Sequence, residues 1–262
     1  MKITATIITF NEEANIGEAC ESVSWANEIL VVDSESTDRT REIAERCGAR
    51  VIKRAWPGFA QQKQFAADEA SHPWIFSLDA DERVSEELRA SVEDLLYTAE
   101  DRLADGYRLA RRSFYMGRWI RGGGWYPNYQ LRLYRKSLGR WKGSHIHESV
   151  KMEEGARVET LGGDILHYSI RDAEHHNRII GERYAPLAAR QMFEENRRTS
   201  PVGIATAGAA AFFRSFILKG GFRDGLAGYA IARFAAHNAY LKHLLLWEMQ
   251  NDKKAGGRDA QG

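Results

Sequence analysis

Two aspartates one residue apart, Asp79 and Asp81, end the apolar run Trp74-Ile75-Phe76-Ser77-Leu78. Like charges at that spacing are costly unless a cation shares them, and a hard divalent ion with carboxylate ligands is the usual solution. Mg²⁺ or Mn²⁺ held there acts as a Lewis acid toward phosphate oxygens. The competing reading places the acids in a turn before a helix over residues 85–99, where Glu86 and Glu87 already suit the helix dipole. An EF-hand is excluded because the loop lacks the expected glycine and the distal glutamate.

The elements that would position these acids alternate regularly. Residues 3–9, 28–33, 49–54 and 74–78 have strand patterns, and residues 14–23, 36–47 and 59–70 have helical ones, the second with Ser36 as its candidate cap. Such alternation calls for an α/β fold with a mostly parallel, Rossmann-like sheet flanked by helices. In open sheets of that kind, ligands collect at the carboxyl ends of the strands. Strand one ends in Thr9-Phe10-Asn11-Glu12-Glu13, strand two in Asp33-Ser34-Glu35-Ser36-Thr37-Asp38, and the fourth in Asp79-Ala80-Asp81-Glu82, so three acid-rich ends meet at one edge.

The net charge of +1 hides a segregation: residues 102–142 hold eleven bases against one acid, Asp105, with aromatics such as Trp125, Tyr126, Tyr129 and Trp141 interleaved. That mixture suits anionic, ring-shaped ligands: nucleotides, phosphorylated sugars or nucleic acid. A non-catalytic module that binds nucleic acid or phosphoglycan through this basic aromatic face is therefore the alternative function. Acids at three strand ends would repel a polyanion, so no nucleic-acid partner is expected. The fingerprints G-x-G-x-x-G after strand one and G-x-x-x-x-G-K-[ST] are absent, which argues against dinucleotide oxidoreductases and P-loop ATPases. Two cysteines, Cys20 and Cys47, and an N-terminus without a signal-peptide pattern lead to the expectation of a cytoplasmic protein.

The strand-one NEE, the Asp33-Ser34-x-Ser36-x-Asp38-x-Thr40 run and the Asp79-x-Asp81 pair occur in the order and spacing of the family 2 glycosyltransferases of glycosyltransferase-A fold, which the chain resembles. More closely it is similar to the subgroup that adds a hexose to the lipopolysaccharide inner core, often described as β-1,4-glucosyltransferases. The resemblance implies a metal-dependent, inverting hexosyltransferase that uses a UDP-sugar donor, Mn²⁺ or Mg²⁺, and a glycolipid or oligosaccharide acceptor. It places Thr9, Asn11, Glu12, Asp33, Ser34, Lys63, Asp79 and Arg132 at the nucleotide, and Asp81, Asp79 and His167 at the metal. Ser34 departs from the family's common DDGSxD pattern, in which this position is Asp.

Inverting transfer also needs a base for the acceptor hydroxyl, and a carboxylate is the common choice. The segment Gly143-Ser144-His145-Ile146-His147-Glu148-Ser149-Val150 alternates as a strand does, with His145 and His147 on one face and Glu148 on the other. Lys151 sits where HExxH would need its second histidine, so a zinc protease is disfavoured. By resemblance Glu148 is the candidate base and Glu82 the reserve; a surface pair of Glu148 with Lys151 is the plain alternative. Trp125, Tyr126 and His147 are the candidate acceptor residues, and the preceding Gly122-Gly123-Gly124 reads as a flexible loop.

These readings divide the chain into a catalytic domain over residues 1–170 (nucleotide half 1–100, acceptor half 101–170), a helical extension over 171–252, and a disordered tail over 253–262. Residues 199–213 carry no charge, yet fifteen residues are too few to span a bilayer, which needs about 20. The extension is expected to lie on an anionic membrane surface, at the inner face of the cytoplasmic membrane, or to form a homo-oligomer interface.

Overall fold

The computed structural model describes residues 1–143, 148–168 and 170–256. It forms two compact units: residues 1–112 with 127–169, and residues 113–126 with 170–262.

In the first unit, strands β1 (Ile3–Thr9), β2 (Glu28–Asp33), β3 (Arg50–Lys53) and β4 (Trp74–Asp79) alternate with helices α1 (Ile16–Ser22), α2 (Thr40–Arg46) and α3 (Phe59–Glu69). Strand β1 lies between β2 and β4, parallel to both, and β3 pairs in parallel with β2. Alternate residues of these strands enter different cores. Ile3, Ala5, Ile7 and Val31 join one cluster with Ile16, Ala19 and Leu88, whereas Ile8, Leu30 and Val32 join Ala66 in another. Burial on both faces is why these strands read as unbroken apolar runs.

The chain continues with β5 (Glu82–Val84), α4 (Glu86–Leu96), β6 (Gly106–Tyr115), β7 (Arg118–Trp119), β8 (Asn128–Arg135), β9 (Gly139–Lys142), β10 (Ser149–Met152) and β11 (Val158–His167). The main sheet has the order β3-β2-β1-β4-β8-β6-β11-β5. Beyond β4 the described pairings β4–β8, β8–β6 and β11–β5 are antiparallel, so the parallel block carries a mixed extension that the strand-helix alternation did not anticipate. Helix α4 is shorter than the expected 85–99: Ser85 stands outside it as the cap that accepts the Leu88 N–H, and the helix closes at Leu96. Gly163, at φ +86°, lies against it, where a Cβ would fall 2.2 Å from the Leu88 nitrogen. No side chain fits at that approach.

Helix α2 begins at Thr40 rather than near Ser36. The Ser36 hydroxyl instead accepts the Asn11 N–H at 2.8 Å, because the second strand's loop is used to tie down the first.

The second unit holds the β6–β7 hairpin tip, α5 (Ala173–Ile179), α6 (Ala185–Glu194), α7 (Pro201–Phe213) and α8 (Gly225–Gly256). Its small cores unite Tyr115, Ile120, Ala227 and Ile231, and separately Ala189, Met192 and Leu246.

Candidate active site

The parallel register aligns Thr9 with Asp33 and Ile8 with Asp79, which delivers the three strand ends to one edge. The first two loops are laced together. Asn11, in the left-handed region at φ +52°, accepts the Thr37 N–H on its amide oxygen at 2.9 Å, and the Glu12 N–H bonds the Thr40 hydroxyl at 2.8 Å. Asparagine tolerates that backbone better than most residues. The Glu12 carboxylate accepts from the Asn15 amide. Ser34 is buried, donates its N–H to the Thr9 carbonyl, and accepts the Gln62 amide at 3.1 Å.

Asp33 has no exposed surface; one carboxylate oxygen accepts the Ser36 N–H at 3.0 Å. Its other oxygen and the neighbouring Thr9 hydroxyl are buried without a hydrogen-bond partner. Orphaned polar atoms of this kind cost about 1–3 kcal/mol each, so a ligand that supplies donors there gains what the empty protein forgoes.

Next to this edge lies a network of buried charges. Lys63, from α3 and only 2% exposed, places Nζ 2.9 Å from Asp79 Oδ1 and 3.2 Å from Glu148 Oε1, with the Trp141 ring centroid 4.8 Å away. Arg132, from β8 and 1% exposed, reaches Asp79 Oδ2 at 3.3 Å and Glu82 Oε1 at 3.1 Å. Arg111 approaches the same Glu82 oxygen at 3.4 Å. Three cations thus face three carboxylates. Burial by itself would raise the Asp79 pKa, but Lys63 and Arg132 outweigh it and hold the carboxyl far below the ordinary carboxylate range. Burial likewise works against the Arg132 charge, and Glu82 and Asp79 reverse that and raise its pKa.

Asp81 points elsewhere. Its Oδ2 lies 3.4 Å from His167 Nε2 at the end of β11, and its carbonyl accepts the Tyr168 N–H at 2.9 Å. Among the described residues no three His, Cys, Asp or Glu side chains converge. Asp81 and His167 thus set one carboxylate oxygen and one imidazole nitrogen side by side, donors that a divalent cation such as Mn²⁺ could share.

Several sequence expectations need correction. Asp79 does not fit the metal role, since both its oxygens face cations and a divalent ion would add a third. Glu82 does not fit the role of reserve base: it is wholly buried, one oxygen accepts the Asp79 N–H at 2.9 Å and the other is shared by two arginines. Glu148 is paired with Lys63 from α3, not with Lys151. The basic aromatic stretch is only partly open: Arg111, Arg112, Arg132, Arg135 and Arg140 are each paired with acids of the first unit, whereas Arg102, Arg108, Arg118, Arg121 and Lys142 are exposed.

The expected flexible glycine loop is also pinned. The Asp224 carboxylate, fully buried, accepts the N–H groups of Arg121 and Gly122, the latter at 2.7 Å. A Cβ on Gly122 would stand 2.4 Å from the Gly220 carbonyl oxygen. Trp125 and Tyr126 belong to the second unit, where the Trp125 ring packs on Tyr115 and His176. His145 and His147 lie outside the described residues; β10 starts at Ser149, just after Glu148.

Sequence reasoning missed Arg111, Trp141 and Asp224. Only Trp141 had a signal, as one of the aromatics among the bases; nothing in the pattern distinguished Arg111 from Arg108 or Arg112.

The mixed α/β sheet, with acids at the ends of the adjacent strands β2, β1 and β4, is of the glycosyltransferase-A type. Residues 4–162, which contain every one of those acids, match the model of glycosyl transferase family 2, and the chain belongs to that family. It is an enzyme, a glycosyltransferase. It is similar to the lipopolysaccharide core biosynthesis glycosyltransferase LpsC of Rhizobium meliloti (strain 1021), 34% identical over 248 residues that cover 92% of this chain and 90% of that protein. An uncharacterized glycosyltransferase of Rickettsia bellii (strain RML369-C) is 31% identical over 259 residues, covering 95% and 87%. Among solved structures, S. aureus TarS 1–349 aligns with a TM-score of 0.49 at 14% identity, over 97% of this chain and 92% of that one.

Proposed function

We propose that this glycosyltransferase moves a hexose, glucose in the favoured case, from a UDP-sugar to a lipopolysaccharide-core type glycolipid, with inversion at the anomeric carbon. The carrying observation is the Lys63 bridge, which holds a second carboxylate, Glu148, beside the strand end where the donor's diphosphate would lie. The similarity to LpsC supports the acceptor class.

In this reading the orphaned Asp33 oxygen and Thr9 hydroxyl receive donors from the uridine moiety, with Asn11, Glu12 and Ser34 shaping the same pocket. Asp81 and His167 hold the divalent cation, which when bound neutralises charge on the departing diphosphate. Lys63 and Arg132 complement that charge from the protein side, while Asp79 keeps both oriented. The acceptor hydroxyl oxygen attacks the anomeric carbon, the bond to the diphosphate breaks, and the hydroxyl proton passes to Glu148. Trp125, Tyr126 and His147 remain the proposed acceptor residues, and a glycolipid acceptor brings an anionic membrane surface, on the cytoplasmic side, as a partner.

The test is diphosphate-nucleotide release over a panel of nucleotide sugars, with and without Mn²⁺ and with core-type acceptors. UDP release that needs both metal and acceptor is expected. Equal release without acceptor, or binding of the chain to nucleic acid in a steeply salt-dependent way without turnover, would count against it.

A further inference from the structure

Helix α7 runs on through a wide turn, Arg214–Leu218, so that residues 201–218 form one helical rod of mean hydropathy 1.4, only 6% of it buried. Its exposed positions fall in a single stripe: Pro201, Val202, Ala205, Thr206, Ala209, Ala210, Phe213, Arg214, Ile217 and Leu218. Positions spaced by four and one share one helical face. A helix of a water-soluble surface turns its polar residues outward. Up to Arg214 this one turns apolar residues outward, and the one hydroxyl in the stripe, Thr206, is spent on the Val202 carbonyl at 2.8 Å. Phe222 and Leu226 continue the exposed apolar surface, at 53% and 71% exposure.

Exposed bases flank both ends of the stripe, with the acids Glu194 and Glu195 lying just before the first of them. Arg197 and Arg198 precede it, and Arg214, Lys219 and Arg223 end it, all exposed. Asp224, the one acid between residues 199 and 226, is buried against backbone N–H groups and offers solvent no negative charge.

We propose that the second unit docks on an anionic phospholipid surface, with the outward stripe of α7 and Arg214–Leu218 seated at the boundary between headgroups and acyl chains and the flanking bases on lipid phosphates. At about 1.5 Å per residue the rod is some 27 Å long, and it carries Arg214 within it, so it lies in the interface rather than spanning the bilayer. Its other face packs on α8, where Gly208 comes within contact of the Ala236 carbonyl. A second copy of the chain fits this surface less well. Parallel pairing sets each base on its own counterpart, and antiparallel pairing sets Arg197 and Arg198 against Arg214 and Lys219. Anionic headgroups relieve both conflicts, each base near such a surface adding a favourable term.

The inference rests on the glycolipid reading for its purpose only, and its test needs no turnover. The full chain is sedimented with vesicles of phosphatidylcholine alone and of phosphatidylcholine with phosphatidylglycerol. Binding at least about tenfold tighter to the anionic vesicles is expected, and weakened about tenfold or more both by the triple change Phe213→Ser, Ile217→Ser, Leu218→Ser and by Arg214→Gln, Lys219→Gln, Arg223→Gln. Absence of binding by the parent chain, indifference to either triple change, or a parent dimer that the serine variant converts to monomer would overturn it. UDP release with a water-soluble acceptor fragment stays unchanged in both variants; its absence in the parent chain, with vesicle binding intact, sinks the transfer reading alone.

Discussion

The Lys63 ammonium touches the Glu148 carboxylate at 3.2 Å although 85 residues separate them in the chain. Because Lys63 meets Oε1, the geometry holds the Glu148 carboxylate in one orientation. A general base needs such fixing, since proton transfer depends on hydrogen-bond reach. Glu148→Gln should lower kcat by about 10²–10⁴-fold while the affinity for UDP, measured by titration calorimetry, changes little. Unchanged turnover would remove Glu148 from the mechanism.

Lys63→Met is expected to be worse than a simple loss of one contact. It strands two carboxylates, Asp79 and Glu148, beside a lysine site that is 2% exposed. Breaking a buried ion pair on one side costs about 3–5 kcal/mol, so the thermal midpoint should fall by well over that of Lys63→Arg, which keeps the charge.

Asp81 and His167 are predicted to be separable from Asp79 by metal titration. Asp81→Ala should abolish the Mn²⁺-dependent part of UDP binding without unfolding the chain, and His167→Ala should weaken it. Asp79→Ala should instead lower stability, because it leaves Lys63 and Arg132 buried with one fewer carboxylate. Equal metal affinity in the parent and Asp81→Ala forms would place the ion elsewhere.

His176 provides a stability-pH prediction for the second unit. Burial pushes its imidazole down to about 4, with His175 adding to the effect, while its ring meets the Tyr115 hydroxyl at 3.2 Å and stacks near Phe234. The folded value lies below the unfolded one, near 6.5, so the unfolded chain binds the extra proton first. The contribution is therefore complete above pH of about 6.5 and is lost as pH falls toward about 4. Thermal midpoints across that window should decline in the parent chain and decline less in His176→Phe.

Gly122→Ala tests whether the glycine loop is pinned. The added methyl would collide with the Gly220 carbonyl, and destabilisation of about 1–3 kcal/mol is expected by denaturant melts. Asp224→Ala should cost a similar amount by orphaning the Arg121 and Gly122 N–H groups. A neutral Gly122→Ala would mean that the loop is open in solution.

The parallel half of the sheet and its acid-rich edge were legible because period and register agree there. Strands buried on both faces are largely apolar, with only Thr4, Thr6 and Ser77 inside the runs, so Asp33 and Asp79 stand out as the charged residues where the runs stop. The antiparallel half was harder, since β6 and β8 alternate arginines with apolar residues and read as a charged surface. Arg132 is interior and Arg111, Arg112 and Arg135 are paired with acids while Arg108 is exposed, a difference that alternation alone does not reveal.

What the sequence by itself determined is local: where strands end, which residues cap or turn, and that several carboxylates reach one edge. Which carboxylate does what was decided by tertiary structure. Asp79 and Asp81 are near neighbours in sequence, yet one faces Lys63 and Arg132 and the other His167, because helix α3 and strands β8 and β11 approach from different sides. A side chain's charge belongs to the sequence, but its role depends on the partners that burial forces upon it, and those come from distant segments.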